Sequence, residues 1–149
     1  MKKKVTPEVG DLKITKTFGG DDTREEVAKG AIKFEVKTAD GKWLDKDGNV
    51  SDSKVELTLG TADGFEASED GLTWTKKFEN VPAGEYTVTE SNTAITGYEL
   101  VEKTSKLTAT AEVTKDTTGD KAATADLKDD YSKVEEKGDL VITKTFGGD

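Results

Sequence analysis

The sequence predicts an all-β domain, an antiparallel β-sandwich of about 7–8 main strands with one short helix after the first strand. Three observations carry that expectation. Short segments of alternating apolar and polar residues recur along the chain, and alternate side chains of a strand share one face. Clusters of Gly, Asp, Asn, Pro and Ser separate those segments and mark turns. Only one stretch, Asp21–Gly30, carries start and stop signals of a helix.

Taken in order, residues 1–9 are polar, contain Pro7 and read as a linker, and the domain proper covers residues 10–131. The first strand runs over Asp11–Phe18, with Leu12, Ile14, Lys16 and Phe18 on one face, and Gly19-Gly20 ends it. In Asp21–Gly30, Asp22 or Thr23 caps the helix, acids follow and Gly30 closes it. So short a helix serves only as a connector. The second strand, Ala31–Thr38, turns Ile32, Phe34 and Val36 inward; a turn at Ala39-Asp40-Gly41 and the pair Trp43-Leu44 follow. Asp45–Ser53 reads as a polar loop and Lys54–Leu59 as the third strand. Gly60–Gly71 reads as a loop anchored by Phe65, and Leu72–Phe78 as the fourth strand. After a tight turn at Val81-Pro82-Ala83-Gly84, the fifth strand, Glu85–Glu90, places Tyr86, Val88 and Glu90 together. Tyr98–Glu102 is the sixth strand and Lys106–Val113 the seventh. The eighth, Ala122–Tyr131, aligns Ala123, Ala125, Leu127, Asp129 and Tyr131.

Composition narrows the function. The chain of 149 residues is 32% hydrophobic and 36% charged, a lean core under a strongly solvated surface. Its formal net charge of −9 repels phosphate backbones and anionic lipid, which argues against nucleic-acid and membrane-surface partners. With no Cys and no His, disulfides, thiol chemistry, Ser-His-Asp catalysis and the usual zinc sites are excluded. No cofactor or metal is expected. The opening Met-Lys-Lys-Lys is followed by no apolar run, so it is not read as a signal peptide, and no stretch is long and apolar enough to span a bilayer. The chain is expected to be a piece of a longer protein.

One stretch repeats. Gly10–Asp21 reads GDLKITKTFGGD and Gly138–Asp149 reads GDLVITKTFGGD, with Lys13 against Val141 as the one difference. The spacing is one domain length, so residues 132–137 read as a charged linker and residues 138–149 as the first strand of a following repeat.

Strand parity turns three ionisable residues inward: Lys16, Glu90 and Asp129. Parity slips through bulges at strand ends, and then all three face water. If they are buried, desolvation favours the uncharged forms of an amine and of a carboxyl group. A neutral amine is a nucleophile. A protonated Glu90 would polarise the Asp129 carboxyl and relay protons. Loss of one water would leave a Lys–Asp isopeptide bond.

At these residues the sequence resembles the B-type repeat domains of Gram-positive collagen adhesins and pilins, the CnaB-like domains, over Gly10–Tyr131. That family opens with a strand ending in a reactive lysine, here LKITK with Lys16. Its motif Y-x-L-x-E-T-x-A-P-x-G-Y is matched by Tyr86-Thr-Val-Thr-Glu90-Ser-Asn-Thr-Ala-Ile-Thr-Gly97-Tyr98, after a VPAG turn and Phe78. The closing strand has Asp129-Asp130-Tyr131 where the family has Asn or Asp two residues before Tyr. The Glu-to-Gly stretch is one residue longer than the motif, and Ile95 stands where the motif has Pro.

The resemblance implies an Ig-like, prealbumin-like sandwich with its first and last strands side by side and parallel. It also implies an intramolecular Lys16–Asp129 bond with Glu90 as the catalytic acid. Asp130 is the second acceptor candidate; parity with Leu127 and Tyr131 favours Asp129. Such a bond closes roughly 110 residues of chain, which stabilises by about 4–5 kcal/mol on the cross-link entropy estimate. The implied role is a stalk repeat of a bacterial cell-surface protein, extracellular and attached to the wall through parts outside this chain, with neighbouring repeats as partners. Glu90 would act once per molecule, so the domain is not a turnover enzyme.

Other patterns point elsewhere. Asp45, Asp47, Asn49, Ser51, Ser53 and Glu56 follow the ligand spacing of a calcium loop, but Val50 occupies the glycine position and no helices flank it. A polar β-loop is the preferred reading. Trp43, Phe65 and Trp74 would line a glycan surface if exposed together, and an adhesin module holding a host protein or glycan is the alternative function. Glu66, Glu69 and Asp70 sit in one acidic loop; an enzyme would oppose such carboxylates across a cleft. In the second copy, Lys144 corresponds to Lys16. It is expected to stay an amine unless residues 138–149 donate a strand to another chain and find a carboxylate there.

Overall fold

In the computed structural model, which describes residues 7–134, the alternating segments become two facing β-sheets. The expectations for Lys144, for residues 138–149 and for residues 1–6 and 135–137 lie outside the described residues. The strands are β1 (Val9–Gly20), β2 (Lys33–Thr38), β3 (Trp43–Leu44), β4 (Val50–Ser51), β5 (Leu57–Thr58), β6 (Glu66–Ala67), β7 (Thr73–Pro82), β8 (Gly84–Ser91), β9 (Tyr98–Leu100), β10 (Thr108–Val113) and β11 (Ala123–Lys133), with one helix, α1 (Arg24–Val27), after β1. One sheet runs β6-β7-β1-β11-β9; the other runs β10-β8-β2-β3-β4, with β5 also paired to β2. β1 and β11 are parallel, in a register that sets Lys16 beside Leu127 and Phe18 beside Asp129. The other named strand pairs are antiparallel.

The apolar faces meet between the sheets. Leu12, Ile14 and Phe18 of β1 and Ala125, Leu127 and Tyr131 of β11 pack against Phe34, Val36, Tyr86 and Val88 of the opposite sheet, all buried. Phe65 is the anchor its loop was expected to supply, with its ring stacked on Phe34 at 5.1 Å. The Tyr86 hydroxyl donates to the Pro82 carbonyl across the β7–β8 turn.

Several boundaries differ from expectation. The third strand shrinks from Lys54–Leu59 to Leu57–Thr58, because β5 meets β2 only at Lys33 and Phe34. Lys54 instead lies 3.5 Å from both Glu35 and Glu56. The polar loop contains β4, which forms a hairpin with β3, and the Gly60–Gly71 loop contains β6, paired to β7. β7 runs on through Pro82, so the expected turn narrows to Ala83. At α1, the Arg24 N–H donates to Asp22 Oδ1 at 3.0 Å, while Thr23 makes no side-chain cap.

β1 is held at both ends by features that only its residue types allow. A Cβ on Gly10 would lie 2.1 Å from the Thr114 carbonyl oxygen, and one on Gly20, at φ +78°, 2.2 Å from that of Tyr131. Asp11, at a bulge between Gly10 and Leu12, accepts the Asn80 N–H at 3.1 Å and the Gly119 N–H at 3.0 Å. The Gly119 bond, then the Asn80 bond, holds its carboxyl below the ordinary 3.8. A depressed carboxyl stabilises the fold above its unfolded value and loses that contribution as the pH falls through the folded value. An Asp11→Asn chain is therefore expected to lose about 1–3 kcal/mol at neutral pH. Its stability should also fall less steeply than the parent's as the pH drops below about 4, in urea melts across that range.

Candidate functional site

β1 is the middle strand of its sheet, so an inward side chain on it has protein on every side. Lys16 lies across from Trp74 of β7 and beside Leu127 of β11. Asp129 is two residues further along β11 on the same face. Glu90 comes from the opposite sheet, on β8 across from Phe34. The three meet between the sheets: Lys16 Nζ lies 2.7 Å from Asp129 Oδ1 and 3.4 Å from Glu90 Oε1, with all three side chains fully buried. The amine also sits 4.4 Å above the Phe18 ring centre and 3.5 Å from the Thr17 carbonyl.

The contact is close without being well aligned. Asp129 Oδ1 and both Glu90 carboxyl oxygens accept no hydrogen bond of sound geometry from any described residue. Burial, then the neighbouring Asp129 carboxyl, pushes the Glu90 carboxyl far above its ordinary range, against the opposing pull of Lys16. That direction favours the protonated, uncharged form of Glu90. The Lys16 amine and the Asp129 carboxyl remain the close pair of the cluster. An amine and a carboxyl group held together in this way are the nucleophile and electrophile of amide formation.

The remaining candidate residues lie apart from this cluster. Asp130 is largely buried but lies on the opposite face of β11 from Asp129: its Oδ1 is 3.6 Å from Lys128 Nζ, and its N–H donates to Ser105 Oγ. Asp45 Oδ1 accepts the N–H groups of Asp47 and Asn49, each at 2.9 Å, and so shapes the hairpin turn. Glu56 faces Lys54. Among the described residues no group of three or more His, Cys, Asp or Glu gathers to hold a metal. The aromatic surface does not assemble either. Phe65 and Trp74 are buried, and the half-buried Trp43 donates Nε1–H to Glu35 at 2.8 Å. Asp70 accepts from Ser68 Oγ and from the Leu72 N–H, a turn within the acidic loop.

Two buried polar contacts escaped the sequence reading. The Tyr131 hydroxyl donates to the Thr93 carbonyl at 2.6 Å and lies 3.3 Å from Asp129 Oδ2. Burial raises its phenol well beyond the usual range, so it stays protonated beside the carboxyl. Parity grouped Tyr131 with Asp129, but its hydroxyl partner lies on a loop that no periodicity describes. Lys76 shares parity with Trp74 and Phe78, so its burial was open to inference. Its Nζ donates to the Lys46 carbonyl at 2.8 Å and lies 4.7 Å from the Phe78 ring centre. That acceptor is a peptide carbonyl, which offers the amine no acid to condense with.

The fold and the cluster together define a β-sandwich domain whose entry and exit strands share a buried Lys–Asp–Glu group. The chain belongs to the family described as a domain of unknown function (DUF5979), whose model matches residues 12–132. No curated protein matches it. Among solved structures it is similar to the group B streptococcus pilus 2b backbone protein, with 18% identity over 81% of this chain and 40% of that one, at a TM-score of 0.39. It is also similar to a pilus-presented adhesin, Cpa, with 19% identity over 87% of this chain and 28% of that one, at 0.40. A third is the major pilin protein (T-13) from Streptococcus pyogenes, with 17% identity over 86% of this chain and 53% of that one, at 0.40. The chain thus spans from 28% to 53% of the length of these structures.

A Tyr131→Phe chain is expected to fold and to lose about 0.5–1.5 kcal/mol in thermal melts, because the Thr93 carbonyl loses its donor.

Proposed function

We propose that this domain is a structural stalk repeat of a bacterial cell-surface protein, of the CnaB-like type. We propose further that it cross-links itself between Lys16 and Asp129, with Glu90 as the acid that acts once. The observation that supports this most is the amine held 2.7 Å from Asp129 and 3.4 Å from Glu90 in a fully buried pocket. The proton shared by Lys16 and Asp129 moves to oxygen, and the neutral Nζ adds to Asp129 Cγ. Glu90 gives its proton to the carbonyl oxygen and takes one back from nitrogen as the intermediate collapses. Glu90 then protonates one hydroxyl of the intermediate and takes the proton of the other, so the C–O bond breaks, the carbonyl reforms and one water leaves. Amine plus acid become amide plus water, and Glu90 ends as it began.

The placement suits a load-bearing role. β1 and β11 are parallel neighbours, so tension on the chain before β1 and after β11 shears the pair rather than peeling it. A Lys16–Asp129 bond passes that tension directly from β1 to β11 and shields the residues between them. Neighbouring repeats of the same protein are the partners this role requires. Among the described residues no helix is long and apolar enough to cross a membrane.

Intact-mass measurement of the purified chain tests the reading. The expected mass is the sequence mass less one water; the full sequence mass contradicts it. A Glu90→Gln chain is expected to keep the full mass. It should melt on the order of 15 °C lower, given about 4–5 kcal/mol from the lost cross-link. Melting like the parent would count against the role of Glu90.

A further inference from the structure

We propose that Lys76 is a covalent binding site for small hydroxyaldehydes, which its amine captures as an imine in the cavity between residues 61–64 and the turn joining β3 to β4. This site lies on β7, apart from Lys16, Glu90 and Asp129, and does not depend on amide formation there.

Lys76 is the second amine on an inward strand face. It shares that face with Trp74 and Phe78 and is only 4% exposed. Unlike Lys16, it has no ion-pair partner among the described residues. Its Nζ donates to the Lys46 carbonyl at 2.8 Å and lies 4.7 Å from the Phe78 ring centre. It also lies so close to Gly64 that a Cβ there would come within 2.7 Å of it. Gly64, at φ +88°, closes the short helical turn Thr61–Asp63. Lys76 thus borders a cavity of about 180 Å³, lined also by Lys46, Asp47, Thr61, Asp63 and Gly64. Lys46, Asp47 and Thr61 are exposed, so the cavity opens to solvent. That volume is room for about six waters, and so for an aldehyde of about three carbons.

An amine attacks a carbonyl carbon in its neutral form, which a desolvated lysine reaches more easily than an exposed one. Burial lowers the Lys76 amine from its ordinary 10.5; Asp63, Asp47 and Asp45 pull it up and Lys46 pushes it down. In the step itself, Nζ adds to the aldehyde carbon and a proton moves from nitrogen to oxygen. The carbinolamine hydroxyl then leaves as water with a proton from solvent. Nitrogen returns its remaining proton to solvent, and a C=N bond is left. Aldehyde plus amine become imine plus water, with no electrons transferred. The carboxylates choose among carbonyl compounds. Asp47 and Asp63 accept hydrogen bonds from ligand hydroxyls but repel another carboxylate, so a neutral hydroxyaldehyde fits and an oxo acid does not. Asp63 is held for that role by the Thr58 N–H, which it accepts at 2.7 Å.

Incubating the full, unsubstituted chain near neutral pH with glyceraldehyde and cyanoborohydride tests this. The reductant delivers hydride to the imine carbon and fixes the adduct as a secondary amine, and peptide mapping by mass spectrometry follows each lysine over time. Lys76 is expected to be labelled several-fold faster than Lys121, which is exposed. That advantage should vanish in urea, where the cavity is gone, and glyoxylate, an oxo acid, should label Lys76 several-fold more slowly than glyceraldehyde does. Labelling of Lys76 no faster than that of Lys121 overturns the proposal. So does an advantage that survives in urea, or equal labelling of Lys76 by glyoxylate.

Discussion

The burial of one amine between two carboxyl groups is the constraint on which the rest of this structure depends. An apolar interior charges several kcal/mol for each unsolvated ion, and a buried pair that loses one partner leaves the other uncompensated. Here the site holds one more carboxyl than it has amines, which favours the neutral form of one acid. Glu90, on the opposite sheet and most strongly raised by burial, takes that part. In the proposed reaction, condensation of Lys16 with Asp129 would leave a neutral amide in the core.

Topology sets Lys16 and Asp129 on neighbouring strands, the first and the last of the described domain. β1 and β11 are 12 and 11 residues long and run parallel at the centre of one sheet. The features that pin β1 lie at its two ends: Asp11 and Gly10 at one, Gly19, Gly20 and Asp21 at the other. With its ends fixed, the strand has no freedom to slip by one residue. Such a slip would turn Lys16 outward and break the cluster. The glycines and aspartates that frame LKITK therefore serve the lysine by fixing its register.

Much of this was legible in the sequence because the inner faces alternate cleanly. Leu12, Ile14, Phe18, Tyr86, Val88, Ala125 and Leu127 share parity with the three ionisable residues and lie in the same core. The two-residue strands β4 and β6 were not legible, since two residues carry no period and owe their conformation to β3 and β7. Lys54–Leu59 alternates but finds only two partners on β2, so tertiary context cut it short. The parallel pairing of β1 with β11 came from family resemblance; alternation on one strand does not name its neighbour. Tyr131 was read as a core residue, and its link to Thr93 needed the fold of a loop.

Peptide sequencing of a proteolytic digest by tandem mass spectrometry tests the central claim most directly. The account predicts one branched peptide in which the Lys16 side chain is acylated by Asp129. Separate, unmodified peptides for Lys16 and Asp129, or a branch at Asp130, would contradict it.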